Sequence, residues 1–263
     1  MFLNPFLYPP PLLRGMPDFH DSLEFLRHNR ELTRDAAAQE AGFSPSYLNQ
    51  IIQQKKIPGP KVFDKIVRYF DLTSEQRQHL HELMQPSRHL PPVEELRRRL
   101  TSQGVHAHLA HLDRYQILGA YTDPLQTVLH GNETLYQSMP GLGEVDDNIM
   151  RWMITPAARE RLTFQQEEAS FLAANLRVAL GRYRDDPRAQ ALFQTLRQHL
   201  EFHNAWDSTP MQVNYHWSRS APIHVHPPGT YQSLALNLEV EEYGHCAELF
   251  IVHGLYDAPV IDH

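Results

Sequence analysis

The 263-residue chain has one cysteine, four lysines and no run of about 18 apolar residues. The lone Cys246 excludes an internal disulfide framework and fits a reducing cytoplasm. Without a long apolar run, no membrane span is expected. No GxSxG, P-loop, GxGxxG or paired-cysteine motif occurs, so the expectation is a protein that is not an enzyme. Residues 1–17 are apolar, but five prolines interrupt them and no basic start precedes them. They read as an arm rather than a signal peptide.

Seventeen histidines invite a metal reading. His106, His108 and His111 form one cluster; His224 and His226, two apart on a strand, would share a face. No third ligand is placed by either pattern, and Pro227-Pro228-Gly229 departs from the spacing of a cupin. No metal is expected.

What is present divides the chain. Residues 18–85 carry apolar positions at helical spacing, broken by Gly42 and by Pro58-Gly59-Pro60 into five short helices. Thr33, Ser44 (with Pro45 behind it) and Thr73 or Ser74 are N-cap candidates. Residues 86–112 are a proline-marked linker and a connecting helix, read as one helix over 93–113. Residues 113–257 run from two strands (115–121 and 125–130) through helices over 148–162, 164–183 and 187–201. Strands follow over 213–217, 223–226, 231–240 and 247–253, and 258–263 form a tail. The fold class is therefore multidomain: an all-α domain, then an α+β domain with an antiparallel sheet and helices on one face.

All four lysines, Lys55, Lys56, Lys61 and Lys65, fall within eleven residues of a chain whose net charge is -7. They follow GFSPSYLNQII, where Ala37, Ala38 and Ala41 are small, Gly42 permits a turn, and Leu48 and Ile51 point inward. This helix–turn–helix resembles the lambda-repressor-like, XRE family of regulators, whose second helix enters the major groove. The resemblance implies double-stranded DNA as partner, bound by a homodimer. Ser44, Pro45, Ser46, Tyr47, Asn49 and Gln50 would face bases, Asn49 and Gln50 with the amide geometry that suits adenine. Arg34, Lys55, Lys56 and Lys61 would meet phosphates. Where many members carry a glutamate that pairs with an arginine of the first helix, this chain has Ile52. Arg27 or Arg30 is then expected to be free, with packing in place of the ion pair.

LDRYQILGAYTDPLQTVLHGN (112–132), NIMRWMITPAARERL (148–162) and DDPRAQALFQTLRQHLEFHNAWDST (185–209) resemble the MmyB-like, PAS-like ligand-binding domain. Two positions depart: Gly131 stands where an aromatic is common, and Thr163-Phe164 where an acid–Trp pair is. The resemblance implies a fatty acid or fatty-acyl effector. Trp152, Met153, Phe164, Phe171, Leu172, Leu176, Leu192, Phe193, Leu196, Phe202 and Trp206 supply apolar surface for such a pocket or for a core. Arg151, Arg177 and His203 are candidates for a head group. Two alternatives stay open: a second domain that only dimerises, and a histidine-based metal sensor or enzyme.

Overall fold

The structure, a computed structural model, describes residues 15–101, 103–162, 166–217, 219, 221–226, 233–244 and 246–257. The arm up to residue 14, Phe164 and the tail lie outside these residues.

The first domain is α1 (Phe19–Asn29), α2 (Arg34–Glu40), α3 (Pro45–Gln54), α4 (Pro60–Tyr69) and α5 (Ser74–Met84). Asp18, Thr33, Ser44 and Thr73 each accept a first-turn N–H, satisfying donors that a helix start leaves open. Gly42 turns the chain from α2 into α3 at φ 75°, a region open to glycine at no steric cost. Ala37 and Ala38 are buried where α2 meets α3, and Phe19, Leu23, Leu48, Ile51, Phe63, Ile66 and Leu80 complete the core.

The expected single linker helix is two, α6 (Val93–Arg99) and α7 (Gln103–Arg114). Thr101 ends the first turn series by donating its hydroxyl to the Arg98 carbonyl, which competes with a continuous helix. The DDPR segment fixes this linker to the second domain. Asp186 caps α12 (Pro187–Arg197) and also accepts from the Leu90 N–H at 2.9 Å. Arg188 reaches both the buried Asp123 carboxylate (3.0 Å) and the Pro91 carbonyl (2.9 Å).

The second domain adds β1 (Leu118–Thr122), β2 (Val128–Gly131), α8 (Glu133–Ser138), α9 (Ile149–Met153), α10 (Pro156–Arg161), α11 (Gln166–Tyr183), α12, α13 (Leu200–Ser208), β3 (Ile223–Val225), β4 (Leu234–Glu242) and β5 (Phe250–Tyr256). Among the described residues the strands make one antiparallel sheet in the order β2-β1-β5-β4-β3. The reading of an α domain followed by an α+β domain holds, but both sheet faces carry helices. Leu118, Ala120, Val128, Leu236 and Val252 share a core with α9 and α11–α13, whereas Tyr121, Leu129 and Ile251 pack with Leu96, Leu100, Val105, Leu109 and Leu112 of α6 and α7.

Three spans differ from expectation. The segment 148–162 breaks at Thr155, whose side chain caps α10 ahead of Pro156. The segment 187–201 ends early, and α13 starts anew after His199. Residues 213–217 are not a strand: the Tyr215 N–H donates to Glu75 of the first domain at 3.0 Å instead of entering the sheet. Helix α8 lies where no helix is expected, and it crowds Gly131: a Cβ there would lie 2.7 Å from the Leu135 side chain and 3.1 Å from the Tyr136 ring.

The two domains meet through α5 and α11. Arg182 donates to Glu82 at 2.7 Å, Arg184 to the Gln85 carbonyl at 2.6 Å, and His79 is buried against Gly181. Residues 209–217 return across the boundary: Met211 joins the first domain's core and the Tyr215 hydroxyl donates to Glu82 at 2.7 Å.

Candidate functional site

Helix α3 presents one polar face outward. Ser44, Pro45 and Ser46 are exposed at its start, while Tyr47, Asn49 and Gln50 are half-buried along it. The Ser44 hydroxyl oxygen already accepts the Tyr47 N–H, so its first role is that of cap. Lys56 donates to the Gln50 amide oxygen at 2.9 Å and lies 4.7 Å over the Tyr47 ring. One of the expected phosphate-contacting cations thus holds one of the expected base-reading groups.

Most of the other cations also lean on partners. Lys55, the left-handed residue that ends α3, pairs with Asp18 (3.0 Å) and Asp21 (3.5 Å). Partial burial works against its charge, but those two carboxylates raise the Lys55 ammonium above its ordinary value. Arg34 pairs with Glu24 at 3.0 Å, Lys65 donates to the Gly42 carbonyl, and Lys61 is exposed at the start of α4. Arg27 and Arg30 are not free. Arg27 pairs with Glu24 at 2.6 Å and also donates to the Leu32 carbonyl. Arg30 donates to the Tyr69 carbonyl and covers the Tyr69 and Phe70 rings. Ile52 is packed in the core, and Glu24 of α1 takes over the ion pair. Burial opposes ionisation of Glu24, yet Arg27 and Arg34 hold its carboxyl below the ordinary carboxylate range.

The second domain encloses an apolar cavity of about 50 Å³ between the inner sheet face and the helices. Its wall includes Leu118, Leu135, Leu238, Val240 and Val252, the thioethers of Met139, Met150 and Met153, and the rings of Phe171 and Trp217. A second void of about 30 Å³ shares Leu118 and Met139 with the first and adds Trp152, Arg161 and Tyr256. Of the expected pocket residues, Met153, Phe171 and Leu172 line the first cavity and Trp152 the second.

The rest do not converge there. Leu192 and Arg151 line an open cleft of about 520 Å³ beside α6, where Arg151 is paired with Asp146. Leu176, Phe193, Leu196, Phe202 and Trp206 are core: the Trp206 ring lies 4.8 Å from Phe193 and 5.8 Å from Phe202. Arg177 is a buried brace, donating to the Gln212 and Trp206 carbonyls and lying 4.2 Å over the Trp206 ring. Burial takes its guanidinium down to about 9. His203 is at the surface, 3.4 Å from Asp207. Phe164 lies outside the described residues.

Sequence reasoning missed Gln126, Met139, Ile149 and Trp217 on the cavity wall, since their convergence depends on turns and long-range returns of the chain. His224 is exposed and the His108 ring nitrogen sits 3.0 Å from the Tyr121 hydroxyl. Among the described residues, no group of three or more histidine, cysteine or acidic side chains could hold a metal ion.

A capped helix–turn–helix beside a sheet-and-helix domain with an apolar interior defines a ligand-responsive transcription regulator. Residues 22–80 match the helix-turn-helix domain family, and residues 102–240, more than half of the chain, match the MmyB-like transcription regulator ligand binding domain. The chain belongs to that MmyB-like family. No curated protein matches it.

Proposed function

We propose that the protein is a cytoplasmic one-component regulator that binds an operator as a homodimer and responds to a small apolar effector, a fatty acid or fatty-acyl derivative. The observation that carries this reading is the continuity of one chain segment, 211–217. Trp217, at φ 52°, forms part of the cavity wall; Tyr215 is bonded to Glu75 and Glu82 of α5; Met211 sits in the helix–turn–helix core. A bulky residue in the left-handed region is held there at a cost, which tertiary contacts must offset.

At about 50 Å³ the cavity holds little more than one water's share of liquid volume, so an acyl chain must enlarge it. The three wall methionines are suited to that, being unbranched and adaptable. Each buried methylene contributes about 0.8 kcal/mol toward the enlargement. Outward movement of Trp217 strains the strap on α5, and α11 transmits the same displacement through Arg182. Ligand then alters DNA affinity to the extent that it binds the two arrangements unequally.

The test is operator binding by fluorescence anisotropy with and without dodecanoyl ligands, beside native mass spectrometry of the purified protein. A several-fold change in operator Kd is expected, and it should vanish in Tyr215→Phe, which removes the hydroxyl bond to Glu82. The small resting cavity favours a second reading, in which the domain is a packed dimerisation module. No bound lipid and no ligand effect, with a dimer by ultracentrifugation, would establish that one.

A further inference from the structure

The cavity wall carries a side-chain amide whose nitrogen has no hydrogen-bond partner. Gln126 is 3% exposed, lines the cavity, and its Nε2 has no hydrogen-bond partner. A buried donor left without a partner destabilises the site, and an acceptor brought to it would relieve that. Its backbone is fixed on both sides: the N–H donates to the Asp123 carbonyl at 2.9 Å, and the carbonyl accepts from Ile149 at 3.0 Å. It is also held at φ 62°, where glycine or asparagine would be easier.

The rest of the wall offers no charged side chain. Two arginines stand nearby. Arg161 lines the adjoining void that shares Leu118 and Met139 with this cavity, and donates to the His226 carbonyl at 3.4 Å. Arg219 lies 4.5 Å over the Phe171 ring and already donates to Glu168 at 3.0 Å and to the Ala221 carbonyl at 3.2 Å. Its Nη1 is also without a partner, but Glu168 compensates its charge. An ionised carboxylate placed beside Gln126 would be a buried charge with no cation on the same wall, which is far costlier than a buried neutral oxygen.

Resting on the reading of this cavity as an effector pocket, we infer that Gln126 is its polar anchor, and that it selects an uncharged acyl compound. The ligand's carbonyl oxygen, of an ester or amide, accepts the Gln126 N–H, and its chain occupies the space among the methionines.

The experiment titrates the full-length protein at pH 8 with methyl dodecanoate, ionised dodecanoate and a hydrocarbon of equal length, following tryptophan fluorescence and calorimetry. Wild type should hold the ester more tightly than either of the others. Gln126→Met, unbranched and of similar size, should weaken ester binding about ten-fold or more and leave the hydrocarbon unchanged. Unchanged ester affinity in Gln126→Met overturns the inference. So does tighter binding of the ionised acid than of the ester; its loss in Arg161→Gln or in Arg219→Gln would identify that arginine as the anchor. If Gln126→Met does not fold, the wild-type preference decides: equal binding of ester and hydrocarbon defeats the Gln126 role while leaving the pocket intact. Binding of none of the three defeats the effector pocket itself, and the anchor with it.

Discussion

At the scale of single residues, DNA recognition and stability compete for the same side chains. Lys56 holds the Gln50 amide oxygen in the free protein, so the proposed DNA-contacting roles require both to rearrange on a duplex. Their contributions still separate. Gln50→Ala should cost about 1–3 kcal/mol on the operator and little on random DNA. Lys56→Ala should weaken both alike and reduce the salt dependence by about one counterion. Salt titrations on the two duplexes measure this, and equal operator-specific losses from the two variants would remove the assignment. Glu24 is the opposite case, a residue away from the exposed face of α3 that the fold needs. Two arginines converge on it, and Arg27 is 8% exposed. Glu24→Ala leaves a largely buried guanidinium without its carboxylate, and should lower stability by about 3 kcal/mol in urea unfolding. The pair was not legible from sequence, because a glutamate three residues before an arginine is ordinary on a helix surface, and its burial depends on Arg34 arriving from α2.

Elements were legible where a local rule was also the winning one. The first five helices show their caps and breaks in sequence because Thr33, Ser44, Gly42 and Thr73 act on their own neighbours. The Thr155-Pro156 start carries the same signal as Ser44-Pro45, but Met150, Ile154, Ala158 and Leu162 keep helical spacing across it and mask it. Residues 213–217 alternate like a strand, yet the Tyr215 N–H goes to Glu75, 140 residues earlier, a partner that no local pattern announces. Helix α7 lies against the outer sheet face through a close approach at β1. A Cβ at Gly119 would sit 2.5 Å from the Leu112 side chain and 3.3 Å from that of Leu109. Gly119→Ala should therefore lift α7 from β1 at a cost of about 1–3 kcal/mol, read as a lower midpoint of unfolding with faster amide exchange in α7. Unchanged exchange there would mean that the helix adapts without moving.

At the scale of the whole molecule, the join between domains has its own titration. His79 of α5 is fully enclosed, and burial, reinforced by Arg177 and Arg184, pushes its imidazole down to about 3 from an ordinary 6.5. A Cβ at Gly181 would lie only 2.9 Å from its ring nitrogen, so α11 has no room to yield. Glu82, held by Arg182 and Tyr215, closes the same contact. The sign follows from the depressed value. Above pH 6.5 the ring is neutral in both folded and unfolded chains, and its packing contributes in full. As pH falls from 6.5 toward 3, the unfolded chain binds a proton that the folded one refuses, and stability declines by at most about 1.4 kcal/mol per pH unit. His79→Leu removes that proton. Urea midpoints measured between pH 7 and 4.5 should fall less steeply in the variant than in the wild type, whatever the difference at pH 7. Parallel slopes would show that the acid sensitivity arises elsewhere. Because α5 also belongs to the helix–turn–helix core, the same loss should appear as earlier proteolysis between the domains, before either one unfolds.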